Sequence, residues 1–290
     1  MPRVPDGYLD CVIYLYPSLD AARDGEAEGG TGFLVAMLGA IENMMTMFVC
    51  AVTNSHVIRA GHAPVIRVNS RVGGFDLIEL SERQWIDHPQ GDDLAVAALG
   101  DLDESHAAKP LIEQHLVTRD QLEGAGVGIG DEVFMTGRFK YQEGQVQNVP
   151  VARFGTLAVS HPVPIWQKER TFWQESFLVE CRSLAGFSGS PVYLNIPPNS
   201  FRDVDKPLSA GAQFGLLGVD WGHIPDVGYV VDEASQNLGP TVRMNSGMTC
   251  VIPAWKLAEL LHDPEIELLW RTHERKQWSH FTANGEPAGA

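Results

Sequence analysis

Residues 186–194, GFSGSPVYL, set Ser188 between two glycines and lead through Pro191 into a run that reads as a strand. That exit decides the fold. The elbow of an α/β-hydrolase, G-x-S-x-G, feeds a helix; here its last place holds Ser190, and SPVYLNI is strand-like. Glycine-flanked serines are also ordinary turn residues. Ser188 therefore counts as a nucleophile only if a base and an acid lie elsewhere in the chain.

The runs around it are of the same kind. CVIYLYP, GTGFLVAML, MMTMFVCAVT, PVIRVNS, DLIEL, DLAVAAL, DEVFMTG, RFGTLAVS, SFLVECRS, SPVYLNI, FGLLGVDWG and GMTCVIP are short, rich in β-formers and bounded by Gly, Pro, Asn or Asp. They predict roughly twelve strands and an all-β sandwich or barrel architecture. Helical spacing comes late, in PAWKLAELLHD from Pro253 and in PEIELLWRTHERKQW, before a tail, TANGEPAGA, read as disordered. The least strand-like segment, residues 101–130, is the natural cut between two halves: 1–115, 116–262 and a helical, flexible tail over 263–290. Its GAGVGIG misses the G-x-G-x-x-G register and precedes a strand, which argues against a nucleotide loop.

Composition narrows the function. Of 290 residues, 44% are hydrophobic and 9% aromatic, enough for a packed core. Acidic residues outnumber basic ones 37 to 21, and a net charge of -16 opposes a nucleic-acid partner. The N-terminus lacks the apolar core of a secretory signal, and the longest apolar window is broken by Glu42 and Asn43, so the expectation is a cytoplasmic protein with no membrane span. Cys11, Cys50, Cys181 and Cys250 are widely spaced in apolar runs, which predicts buried thiols rather than disulfides, zinc or redox sites. No metal or other cofactor is expected.

The partners that Ser188 needs lie upstream. AVTNSHVI sets His56 just after an apolar strand, and GDDLAVAAL sets Asp93 at the head of another, giving the order His, Asp, Ser. With their flanks, GTGFLV (30–35), TNSHV (53–57), DLAV (93–96), GFSGSP (186–191) and GMTCVIP (247–253) resemble the trypsin-like serine peptidases, nearest to Htr proteases and glutamyl endopeptidases, over about residues 8–260. The resemblance implies two six-stranded Greek-key barrels with the site between them and a helix closing the second. It implies His56 as base and Asp93, directly before Leu-Ala, as its carboxylate, with Asp92 a solvated neighbour. Gly186 and Ser188 would supply oxyanion N–H groups. Serine needs such help because its hydroxyl is a poor nucleophile at neutral pH. His62, His88, His161 and His223 have no comparable setting and are assigned surface or core roles.

The chain departs from the family in places. Phe187 cannot accept a new N-terminal amine as the aspartate of digestive enzymes does, so zymogen activation of that kind is not expected, and the loop would need apolar packing instead. Htr proteins carry PDZ domains after the protease; none is expected here. Residues 195–212 and 223–246 read as long loops, the second a candidate contact for substrate or a regulator. In the specificity pocket the resemblance puts Arg182, Asp220, Trp221, Gly222 and Gly247, the glycines leaving the walls open. Arg182 neutralised by Asp220 would favour an uncharged residue before the scissile bond; an unpaired Arg182 would favour an acidic one. The expected partner is a protein or peptide substrate, with an activating protein partner as a further expectation. A catalytically silent binding module of the same fold is the competing reading.

Overall fold

A computed structural model describes residues 3–25, 29–42, 44–140, 144, 146–196, 213–231 and 237–283. The first sheet is built from β1 (Val12–Tyr16), β2 (Gly30–Ile41), β3 (Met44–Thr53), β4 (Val65–Asn69), β5 (Phe75–Ile78), β6 (Trp85–Asp87), β7 (Ala95–Gly100) and β8 (Leu111–Ile112). Its order is β5-β4-β1-β2-β3-β7-β6, with β8 alongside β2. Side chains alternate between the faces of a strand, and here both faces are covered. Ile13, Leu15, Leu34, Val49 and Ala51 pack into this sheet's own core. Their neighbours Tyr14, Tyr16, Phe33, Val35 and Val52 join Phe134, Tyr193 and Ile252 of the second sheet. The strands therefore read as unbroken apolar runs.

The second sheet comprises β9 (Glu132–Gly137), β10 (Val151–Leu157), β11 (Val163–Gln167), β12 (Phe172–Glu180), β13 (Pro191–Ile196), β14 (Gln213–Val231) and β15 (Asn237–Pro253). Pairing of β10 with β12 closes a ring, and β11 stands outside it on β12. The chain thus adopts the all-β, two-unit architecture with a C-terminal helix that the sequence implies. Short additional pairs raise the strand count: β6, the two-residue β8 and the proline-bearing β11 have no sequence signal strong enough to stand alone.

Two expectations about connections need separate treatment. Residues 223–231 and 237–246 are not a structureless loop: β14 and β15 run on as a paired ribbon beyond the ring, through Pro225↔Asn245, Val227↔Arg243 and Tyr229↔Thr241. Cross-strand pairing satisfies a backbone that composition alone left unassigned. Of the other long connection, residues 197–212 lie outside the described residues, as does 284–290 of the expected tail.

The helix Ala254–Leu261 buries Leu257, Leu260 and Leu261 completely. The helix Pro264–Ala283 then crosses to the first sheet, lying on β2, β3 and β7. Ile266 and Trp270 enter the shared core, Thr46 donates to the buried Glu274 carboxylate at 2.8 Å, and Gln277 donates to Asp101 at 2.6 Å. All four cysteines are buried and unpaired. Among the described residues no helix is long and apolar enough to cross a membrane.

Trp270→Ala should cost about 3–5 kcal/mol in urea unfolding, the usual loss for truncating a buried aromatic. Leu268→Ala, on the exposed face of the same helix, should change stability by less than about 0.5 kcal/mol.

Candidate active site

β3 ends at Thr53, and Asn54 opens the short helix Ser55–Arg59, in which His56 sits one residue in. Asp93 lies in the turn just before β7, and the Asn54 side chain donates to its carbonyl at 2.9 Å. This brings the Asp93 carboxyl onto His56 twice. The His56 backbone N–H donates to Oδ1 at 2.9 Å, and Nδ1 lies 2.7 Å from Oδ2. A carboxylate can only accept, so Nδ1 carries the proton and Nε2 is left as the acceptor. Asp93 is fully buried, whereas the His56 side chain keeps 27% of its surface.

Charges settle the protonation. Burial alone would push His56 down, but the charge and hydrogen bond of Asp93 outweigh it and hold the imidazole above its usual value. Arg170 opposes that rise and Asp220 adds to it. Burial would likewise raise Asp93, and the His56 charge and hydrogen bond, then Arg170 and Gln167, bring it below the usual carboxylate range.

Ser188 sits where two tight turns meet: Phe187 N–H donates to Leu184 O at 3.1 Å, and Ser190 N–H to Phe187 O at 2.8 Å. Both turns need a left-handed glycine, Gly186 at φ 99° and Gly189 at φ 87°. A Cβ on Gly189 would also collide with the Thr31 carbonyl and the Thr53 hydroxyl. Thr31 of β2 holds the loop from the first sheet: its N–H donates to Ser188 O at 2.9 Å and its hydroxyl to Gly186 O at 2.6 Å. From the second sheet, Gly189 N–H donates to Asp220 O at 2.8 Å. The N–H groups of Gly186 and Ser188 have no partner among the described residues. Phe187 is fully buried with Met135, Leu157 and Val192, the apolar packing expected in place of a charged anchor. Ser188 Oγ makes no hydrogen bond to His56 among the described residues.

Two expectations do not hold. Asp92 is not solvated: it is 4% exposed, accepts from Gln174 at 2.6 Å and lies 3.5 Å from Lys256 Nζ, because β12 and the helix Ala254–Leu261 close over it. Arg182 and Asp220 do not pair. Arg182 is exposed, while the buried Asp220 carboxyl accepts from Ser183 Oγ at 2.7 Å and Gly222 N–H at 2.9 Å. Burial pushes Asp220 up to about 7, against the lowering effects of the Ser183 and Gly222 hydrogen bonds and of the His56 charge. Gly222 and Gly247 do face open space, since a Cβ on either would meet nothing within 4 Å. Trp221 donates to Ser176 at 2.8 Å and lines a groove of about 540 Å³ with Trp166, Gln167, His223, Ile224 and Arg243. His88 is buried and His62 is exposed.

Sequence reasoning missed Thr31, Gln167, Arg170, Gln174 and Ser183. Thr31 lay within the quoted GTGFLV, but the others carry no local signal, because each acts on a group far away in the chain.

No protein-family model and no curated protein sequence matches the chain. Among solved structures, the inactive form of the Rv3671c protease is similar at 14% identity and a TM-score of 0.46, with 88% of each chain covered. A mutant of Rv3671c from M. tuberculosis H37Rv, also inactive, gives 14% and 0.44 over 87% of this chain and 84% of that one. The HtrA-type protease AlgW with a decapeptide gives 13% and 0.44 over 89% of this chain and 66% of that one. At these values the likeness carries no argument about the site.

Asp220→Asn keeps the side-chain shape, its Oδ1 still accepting from Gly222 N–H and its Nδ2 now donating to Ser183 Oγ, while removing an acid raised from 3.8 to about 7. A raised acid binds more protons folded than unfolded, so the native protein loses stability as pH climbs from about 4 to 7. The variant should melt several degrees higher than wild type at pH 8, with the gap closing by about pH 4. Thermal melts followed by circular dichroism across that range check this.

Proposed function

We propose that the chain is a trypsin-like serine endopeptidase that hydrolyses peptide bonds in protein or peptide substrates through an acyl-enzyme on Ser188. The observation that carries this reading is the fully buried Asp93 carboxylate 2.7 Å from His56 Nδ1. It leaves Nε2 as a base in the tautomer that serine chemistry needs. The loop bearing Ser188, with its two unengaged N–H groups, supports the same reading.

In this mechanism Nε2 takes the Ser188 proton as Oγ attacks the substrate carbonyl carbon. The tetrahedral oxyanion receives the N–H groups of Gly186 and Ser188, donors worth about 100- to 1000-fold each in rate. His56 then returns the proton to the leaving amine as the C–N bond breaks, and water hydrolyses the ester by the reverse sequence. The absent Oγ–His56 hydrogen bond is compatible with this, because catalytic hydrogen bonds are often long before substrate binds and tighten afterwards. That same gap favours a second reading, a peptidase held off until substrate or an activating partner closes the triad.

The proposal extends to domains 1–115, 116–262 and 263–290, in line with which strands join which sheet. It extends also to a regulated cytoplasmic enzyme in stress or defence, for which four unpaired thiols suit a reducing compartment.

A fluorophosphonate probe should label the wild type and fail on Ser188→Ala. His56→Ala should lose about 10⁴-fold or more in kcat/KM, because triad members act as a unit. No labelling of the wild type, with or without peptide substrate, would leave the silent binding module as the reading. Since the base must be neutral and His56 is held above its ordinary value, kcat/KM should rise with pH through a midpoint above about 6.5.

A further inference from the structure

The β11–β12 hairpin leaves the ring of the second sheet and ends over the Asp92–Asp93 turn of the first unit. Its register is Ile165↔Gln174, Trp166↔Trp173 and Gln167↔Phe172, with a tight turn over 168–171 in which Thr171 adopts φ 52°. Gln174 is fully buried beneath it: its Oε1 accepts from Asp93 N–H at 2.8 Å, and its Nε2 donates to Asp92 at 2.6 Å. Two further side chains reach the Asp93 carboxyl itself. Gln167 Nε2 donates to Oδ2 at 2.6 Å, on the oxygen that faces His56 Nδ1. Arg170 Nη1 lies 3.5 Å from Oδ1, the oxygen that accepts from the His56 backbone.

We propose that Gln167 and Arg170 are positioning residues for the His56–Asp93 pair, so that a hairpin of the second unit fixes the orientation and basicity of the histidine in the first. This deepens the proposed peptidase mechanism and rests on it for the meaning of His56 as a base. Gln167 fills the lone pair of Oδ2 that His56 leaves, which stops the carboxylate from rotating away. Arg170 competes with a protonated His56 for the same negative charge, and so disfavours the imidazolium. The charged groups facing His56 are Asp93 from the turn before β7, Asp220 from β14 and Arg170 from the hairpin. Arg170 alone among them opposes protonation.

The test reads His56 directly. In uniformly folded Ser188→Ala protein, the His56 Cε1–H resonance is titrated by NMR with Arg170 intact, as Arg170→Gln and as Arg170→Lys. The Arg170 side chain keeps 22% of its surface, so both substitutions fit without opening the core. The expected result is that Arg170→Gln moves the His56 midpoint up by roughly half to one pH unit and Arg170→Lys restores most of the difference. Equal midpoints in all three proteins, at unchanged melting temperature, would overturn the role of Arg170. Gln167→Glu keeps the shape but replaces the donor by an acceptor, and should lower kcat at least tenfold with little change in KM, whereas Gln167→Met tests loss of the donor with packing retained. Wild-type kcat in a folded Gln167→Met protein would overturn the role of Gln167. The NMR shift needs no turnover, so an inactive wild type that still shows it would sink the peptidase reading while leaving the contact between hairpin and histidine established.

Discussion

A carboxylate with no exposed surface must find donors for its lone pairs or stop being charged, and Asp93 finds them on both sides of the molecule. The His56 ring and backbone come from the first unit and the Gln167 amide from the second, with the Arg170 guanidinium a counter-charge 3.5 Å away. Its own N–H and carbonyl are taken by Gln174 and Asn54. Removing one partner of a buried ion costs far more than the pair contributes, because the remaining charge is stranded. The packing of the two sheets and the tautomer of His56 are therefore two consequences of one arrangement.

The Ser188 loop follows the same plan on the opposite wall. It belongs to the second sheet through Asp220 and to the first through Thr31, whose backbone and hydroxyl both engage it. Gly186 and Gly189 supply the two left-handed backbone positions that sharp turns require. Phe187 anchors the loop by burial rather than by charge. The long β14–β15 ribbon then carries the strand of Asp220 and Trp221 well past the ring, forming one wall of the adjoining groove.

Local sequence determined a good deal. Unbroken apolar runs fixed the all-β class, since strands covered on both faces need no polar alternation, and Pro253 with its leucines fixed the closing helix. The residues proposed as the triad were singled out because each sits in a short segment with a characteristic flank: SHV after a strand, DLAV before one, GFSGSP at a turn. What stayed hidden was everything that depends on distant partners. Of the hairpin β11–β12 only the second strand was foreseen, in SFLVECRS; β11 was invisible, as Pro164 weakens its strand pattern until Phe172–Glu180 is there to pair with it. The ribbon formed by 223–231 and 237–246 looked like a loop because its strands stabilise each other and little else. Asp92 and Asp93 are adjacent and chemically identical in sequence. The place before Leu-Ala singled out Asp93 for His56, but that Asp92 lies buried against Gln174 and Lys256 was decided by the tertiary structure, as was the failure of Arg182 to meet Asp220. A single chain encodes its periodicity and turns locally, but burial and hydrogen-bond partners exist only once residues some 80 positions apart, such as Gln167 and Asp93 with their separation of 74, have been brought together.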